Sequence, residues 1–392
     1  MSAAVSKTRL IPAAILAIFV YGMIAAIAGT IVPEVSRRFS MSPDQIGYVF
    51  LAQAIGMIIA SVSVGPLIDN KGKKTGLLMG LTLIVIALFA IPQSTGYTMI
   101  MLFMVLLGLG GGIIVTAANA LVSDISDERR ASTLNLLNLF FGLGGLATPF
   151  IGANLFNNNS VALCYLIACL TAGTLVLHIF TPMPPPTGER GFKVSEASAL
   201  LGRPALFLLS LLLFLYVACE VGVWNWLPKH LGAQGIPDKT ALNILSLGFA
   251  LGLLLGRMVV SRILINVAAP TVTLFAAILM AITTYGMLQT TDATIAAVLV
   301  FCAGVAMAPV FPTTLAMVGD AFPRMTATAM GIAITSGWIG LAVSSRIIGA
   351  IAGDDPKRIG TALLVLPAAS VLMIVVNLAV RPMLKSRAKA AA

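Results

Sequence analysis

The sequence is poor in charge. Of its 392 residues only 10% are Asp, Glu, Lys or Arg, while 59% are hydrophobic. A soluble domain carries about 25% charged residues. With mean hydropathy at +1.02, much of the exterior is expected to face lipid rather than water. Histidine is nearly absent, at 2 residues, and cysteine stops at 4. His178 and His230 sit at the ends of apolar segments, and Cys164, Cys169, Cys219 and Cys302 lie inside such segments with no histidine at metal-ligand spacing. No metal site is expected, and the thiols read as small hydrophobes. Nor does a nucleophile–base pair stand out, so neither enzyme chemistry nor a cofactor is expected.

What charge there is has an informative layout. Lys and Arg number 24 against 14 acids, a net charge of +10. A basic balance can signal nucleic acid, but here the basic residues form short clusters between apolar runs. The positive-inside rule gives them a topogenic role instead, and no nucleic-acid partner is expected.

Twelve apolar runs follow one another, at residues 10–32, 46–68, 75–91, 98–122, 133–156 and 161–180, then 204–227, 239–263, 267–289, 291–318, 327–351 and 360–380. A spanning helix takes roughly 20 apolar residues, so twelve with short loops take about 300 residues and nearly fill the chain. The first run exceeds the roughly 7–15 residues of a signal h-region and reads as a retained helix. Between the two groups of six lies 181–203, with Pro182, Pro184, Pro185, Pro186 and charged residues, the composition of a linker. The expected fold is therefore an all-α polytopic membrane protein, with a six-helix half at 1–180, a linker at 181–203 and a second half at 204–392. Placing the N-terminus in the cytoplasm puts 17 of the 24 Lys and Arg on that side and seven outside. Both termini are thus expected inside the cell, in an inner (plasma) membrane.

Glycine and proline are plentiful, at 36 and 20. The clusters LLGLGGG at 106–112 and FGLGG at 141–145 allow helix backbones to approach closely. Pro149, Pro309 and Pro312 stand inside spans, where they free carbonyls and permit bending.

One loop motif is sharp. GPLIDNKGKK runs from Gly65 to Lys74 between the second and third spans, and carries Gly65, Asp69, Gly72, Lys73 and Lys74. It resembles the signature loop of the major facilitator superfamily. The physical logic is a cytoplasmic latch: glycine lets the helix pack, and Asp69 can meet a helix N-terminus or a basic residue such as Arg129 or Arg130. Laying span 8 on span 2 sets Gly252 against Gly56 and Ser261 against Gly65, but Ile265 against Asp69, so the halves look like repeats with the motif degenerate in one.

Most acids fall at helix ends or in loops; Glu220 falls inside the seventh run. A charge at that depth costs about 3 kcal/mol on insertion scales and usually faces a cavity or a partner. A structural ion pair with Arg257 or Arg346 is one reading; a solute or coupling role is the other. Tyr216, Glu220 and Trp224 are four residues apart and share one helix face, with Asn225 beside them. An acid, aromatic faces and an amide suit a polar ring-shaped solute. Trp226, next to Pro228 and Lys229, reads as an interfacial aromatic. Gln53, Asn119, Asn135, Asn138 and Trp338 add intramembrane polar groups on other spans.

At these residues the chain resembles the fucose–galactose–glucose symporters. The pieces that carry it are TAAN at 116–119, LNLLNLFFGLGG at 134–145, YVACEVGVWNWL at 216–227 and FPTT at 311–314. The resemblance implies cation-driven sugar uptake by alternating access, with Asn119, Asn135, Asn138, Glu220, Trp224 and Asn225 near the sugar and a proton or sodium as coupling ion. The resemblance also implies carboxylates in spans 1 and 4, where Gly29 and Val115 stand here. Glu220 is then the candidate coupling acid. The expected partners are a small polar solute, the coupling ion and the bilayer, for a monomer. A proton-coupled exporter of amphipathic compounds on the same fold is the alternative.

Overall fold

The structure, a computed structural model, describes the backbone of residues 7–125, 130–183, 200, 202–322 and 326–391. Side chains are described for 10–64, 67–68, 71–118, 121, 139–183, 200, 202–322 and 329–384. Among these residues there are helices and turns and no strand. Lipid leaves backbone groups no water to bond, so each span satisfies its own N–H and C=O groups as a helix.

The first half runs α1 (Lys7–Arg38), α2 (Pro43–Lys71), α3 (Lys73–Ala90), α4 (Tyr97–Ile125), α5 (Arg130–Asn154) and α6 (Ser160–Phe180). The second runs α7 (Pro204–Ala233), α8 (Asp238–Ile263), α9 (Ala269–Gln289), α10 (Ala293–Ala321), α11 (Thr326–Ala352) and α12 (Val365–Ala391), the last preceded by the short turns Pro356–Arg358 and Ile359–Ala362. Eleven described helices are long and apolar enough to cross a membrane. The twelfth, α5, has 25 residues, of which the apolar stretch Leu139–Asn154 lies within the described side chains.

Two compact units divide the chain. Unit 1 comprises Met1–Met41 and Ala52–Gly191; unit 2 comprises Ser42–Leu51 and Phe192–Ala392. The start of α2 thus groups with the later residues, for a visible reason. Asp44 accepts from Arg346 on α11 at 2.5 Å, and the Arg346 guanidinium lies 4.3 Å from the Tyr48 ring centre. Gly47 meets Gly349 so closely that an added Cβ would stand 3.0 Å from the Gly349 Cα.

Small residues set the crossings inside each unit. In unit 1, Gly144 on α5 abuts the α1 backbone at Phe19, and Gly108 on α4 abuts the α2 backbone at Gln53. Unit 2 repeats the pattern: Gly340 on α11 abuts α7 at Phe214, and Gly304 on α10 abuts α8 at Phe249. Hydroxyls tie the same pairs. Thr148 on α5 donates to the Met23 carbonyl at 3.1 Å, and Ser336 on α11 to the Ser210 carbonyl at 2.7 Å. Without a hydrophobic force between helices in lipid, such close contact and interhelical hydrogen bonds supply the attraction. The glycine clusters of the sequence lie at these contacts, and so does Gly252, whose counterpart in the repeat alignment is Gly56.

Two spans of unit 2 depart from regular α-helix. In α10, Ala308 and Pro309 separate Ala293–Met307 from Val310–Ala321, because proline lacks the N–H that would continue the ladder. In α8 the stretch Ile244–Ala250 is π-helical. Pro149, by contrast, sits within continuous α5.

Candidate functional site

The site is built on α7. Its 30 residues run from Pro204, at the first helical position after Arg203, to Ala233, and 21 of them are buried. A helix apolar all round is a core helix, so any polar group on it must find a protein partner or face a solute. Tyr216 is 0% exposed, Glu220 8%, Trp224 3% and Asn225 2%.

Neighbouring helices of unit 2 surround this stripe. The Tyr216 ring lies 6.3 Å from Phe311 at the start of the second α10 segment. The Trp224 indole meets Phe249 edge-on, centroids 5.1 Å apart at 79°, and Phe249 belongs to the π-helical stretch of α8. Such one-turn insertions occur often at functional sites. Trp338 sits on α11, which packs on α7 through Gly337 against Val217.

Polar atoms here are buried yet unmatched. The Tyr216 hydroxyl, Glu220 Oε1, Trp224 Nε1, Asn225 Nδ2 and Oδ1, and Trp226 Nε1 have no hydrogen-bond partner in the protein. Trp338 Nε1 and the hydroxyls of Thr313 and Thr314 are in the same position. Each such group costs about 1–3 kcal/mol if nothing pairs with it. Tyr216 and Trp224 lie close enough to the Glu220 carboxyl to interact with it, without reaching hydrogen-bond geometry, and Arg257 on α8 exerts an attractive field on it. Arg346, the other cation considered for Glu220, is engaged with Asp44 and Tyr48. No group of three or more His, Cys, Asp or Glu side chains able to hold a metal occurs among the described residues.

A family profile described as Major Facilitator Superfamily matches residues 14–345. The chain belongs to the Major Facilitator Superfamily. It is a multi-pass membrane transporter, not an enzyme. "Bypass of stop codon protein 6" of Saccharomyces cerevisiae is 24% identical over 379 residues, covering 85% of this chain and 75% of that protein. A "Protein TsgA homolog" of Buchnera aphidicola is 25% identical over 220 residues, and the match spans about half of its length (54%). Among solved structures, the nucleoside transporter NupG matches with a TM-score of 0.79 at 13% identity, covering 95% of this chain and 99% of that one. The fucose:proton symporter of E. coli matches with a TM-score of 0.68 at 17% identity, again over 95% and 99%. At such identities these two likenesses show the superfamily fold.

The residues expected to form the site in this Major Facilitator member fall into three groups. Tyr216, Glu220, Trp224 and Asn225 lie together on α7, and Trp338 lies on α11, which packs on α7, all in unit 2. Gln53, 4% exposed, lies on the unit 1 part of α2. Asn119, Asn135 and Asn138 lie on α4 and α5, and their side chains fall outside the described residues. The signature loop is described in part. Gly72 sits between α2 and α3 at φ 87°, a conformation suited to glycine. Lys74 Nζ donates to the Ile179 carbonyl at 2.7 Å, placing a cation at the C-terminus of α6. The side chains of Gly65 and Asp69 are outside the described residues.

One expectation needs correction. Trp226 is not an interfacial aromatic: it is 0% exposed and meets Phe50 edge-on at 5.3 Å. The helix continues to Ala233, so position 226 lies about two turns inside its end. Thr313 and Thr314 of the FPTT motif also carry buried, unmatched hydroxyls, which their place in an apolar run does not signal.

Proposed function

We propose that this protein is a secondary active transporter that moves a sugar or similar small polar solute by alternating access, coupled to a proton or sodium. The observation that carries the reading is the cluster on α7. An acid, a phenol, an indole and an amide are all buried on one helix, and each presents a hydrogen-bonding atom the protein leaves unmatched. A polyhydroxylated solute supplies donors and acceptors to such atoms, while Trp224 and Tyr216 offer ring faces to its C–H surfaces. Glu220 is the binding or coupling acid. Gln53, Asn119, Asn135, Asn138 and Trp338 complete the solute site, and Gly65, Asp69, Gly72, Lys73 and Lys74 form the cytoplasmic gate. The moving parts are the halves 1–180 and 204–392, joined by 181–203. Both termini face the cytoplasm of an inner-membrane monomer.

The test uses proteoliposomes. Glu220→Gln, nearly isosteric, abolishes gradient-driven accumulation of the solute and spares equilibrium exchange. Undiminished concentrative uptake by this variant would remove the coupling role. A solute panel then sorts the substrate class: selectivity for sugars supports this reading, and transport of varied lipophilic cations instead supports an exporter.

A further inference from the structure

The two irregular spans of unit 2 each lose regular α-geometry beside the α7 stripe. The π-helical stretch of α8, Ile244–Ala250, contains Phe249, whose ring meets the Trp224 indole edge-on. The break in α10 falls at Ala308 and Pro309, and Phe311, two residues further on, has its ring centre 6.3 Å from that of Tyr216. Tyr216 and Trp224 stand about one turn to either side of Glu220. The acid is therefore flanked along α7 by two aromatic pairs, and in each pair the partner ring stands on irregular backbone.

The Trp224 end of the stripe holds polar atoms with nothing to bond. Trp224 Nε1 and both amide atoms of Asn225 are buried and unmatched. Phe249 is 0% exposed and Trp224 3%. Atoms so enclosed meet a solute only once a side chain moves aside. From Phe249 onward, α8 is clamped to α10. Gly304 abuts the Phe249 carbonyl, an added Cβ at Gly252 would stand 2.4 Å from the Phe301 carbonyl oxygen, and one at Gly256 would stand 2.7 Å from the Ala308 Cβ. At Gly248, within the π stretch, the nearest atom is a Val300 methyl carbon at 3.2 Å. The backbone at 249 is thus held, while the turn before it is looser.

A π turn takes in one residue more than an α turn, which spreads its side chains and gives a ring room to turn. We propose that Phe249 is the access residue of the α7 site: its ring swings off Trp224 within the π stretch to admit a small polar solute, and returns to enclose it. This role rests on α7 being the solute site and adds the side chain by which that site opens. It accounts together for polar atoms that are sealed yet unpaired and for a π-helical stretch, a form frequent at functional sites, at the residue that seals them. Core packing alone would call for the ring but not for the irregular backbone.

Quenching of Trp224 fluorescence by acrylamide, a small uncharged polar probe, tests this on the full chain in detergent. Trp226→Phe and Trp338→Phe in the parent leave one indole to read. Phe249→Ala should raise the quenching constant about threefold, and Phe249→Leu by less. Phe311→Ala, whose ring meets Tyr216 instead, should leave it unchanged. Deleting Leu247, which is 47% exposed, returns α8 to regular α-helix with both flanks in register and should lower quenching below the parent's. A ring that merely packs predicts a lower melting temperature for Phe249→Ala and no change in quenching on the deletion. Quenching of Phe249→Ala equal to the parent's, or matched by Phe311→Ala, overturns the proposal, as does unchanged quenching in a folded deletion variant. If the deletion does not fold, the comparison of Phe249→Ala with Phe311→Ala decides. No solute is needed, so the outcome is separable from the uptake assay: raised quenching in Phe249→Ala alongside undiminished uptake by Glu220→Gln refutes the coupling role and leaves the access role standing.

Discussion

Replacing Gly144 by alanine isolates the energy of one helix crossing. Gly144 sits on α5 where an added Cβ would stand 2.8 Å from the Met23 amide nitrogen and closer still to the Phe19 carbonyl oxygen of α1. Both obstacles are backbone, which cannot rotate aside, so α1 and α5 must separate. Overpacking of this kind costs about 1–3 kcal/mol. A raw stability change would mix that cost with helix propensity, since alanine gains about 1 kcal/mol over glycine in a helix interior. Gly173 on α6 removes the ambiguity, because nothing lies within 4 Å of its added Cβ. The same propensity gain applies to both sites, so the difference between Gly144→Ala and Gly173→Ala is the packing cost alone. For a cooperative unit of 150–250 residues each kcal/mol moves Tm by about 2–4 °C. The two variants should therefore melt roughly 2–12 °C apart, Gly144→Ala lower, in a detergent thermal-shift assay. Gly340→Ala, at the matching α11–α7 crossing, should fall with Gly144→Ala. Equal melting of Gly144→Ala and Gly173→Ala would refute the claim that close backbone contact holds these pairs.

Glu34 accepts from the Ser160 backbone N–H at the start of α6. Glu34→Gln keeps an acceptor and loses the charge–dipole attraction, so thermal unfolding should show a loss of about 0.5–1 kcal/mol. The Asp44–Arg346 pair is about a third exposed on each side and is screened, so Asp44→Asn should cost under about 1 kcal/mol and less in high salt. Arg346→Ala should cost more, because it also loses the stack on Tyr48, worth about 0.5–1 kcal/mol; a double-mutant cycle measures the pair. Trp224→Phe keeps the edge contact with Phe249 and deletes the indole N–H. Solute affinity should fall about 2- to 12-fold, the worth of one neutral hydrogen bond, with no loss of Tm.

How far the sequence spoke depended on the kind of signal. Apolar run length made the spans legible, because a helix crossing lipid must be both long and apolar. The break in α10 was legible from Pro309. The π-helical stretch of α8 was not, since an inserted residue leaves no mark on composition. Asp44 and Arg346 lie 302 residues apart, and nothing in either neighbourhood names the other. Trp226 was misread because its neighbours Pro228 and Lys229 imitate a helix end, whereas proline there sits inside a helix that runs on to Ala233. Glu220 was legible for the opposite reason: an acid deep in an apolar run has few readings.

The acids of the spans bear on which one can serve a solute. Where the resemblance to sugar symporters implies carboxylates in spans 1 and 4, this chain has Gly29 and Val115. Glu34, also on α1, gives an oxygen to the N-terminus of α6, and Asp44 gives one to Arg346. Both acids sit near helix ends and both have a protein group in place. Glu220 is deeper, at 8% exposure, and its Oε1 has none. Arg257 stands on the neighbouring α8, and the unmatched oxygen can accept a further bond. Under the proposed function, this buried acid with an unmatched oxygen serves either as a proton carrier or as an acceptor for a solute hydroxyl. Those two roles separate on substitution, because the amide of Glu220→Gln can still accept from a hydroxyl but cannot release a proton.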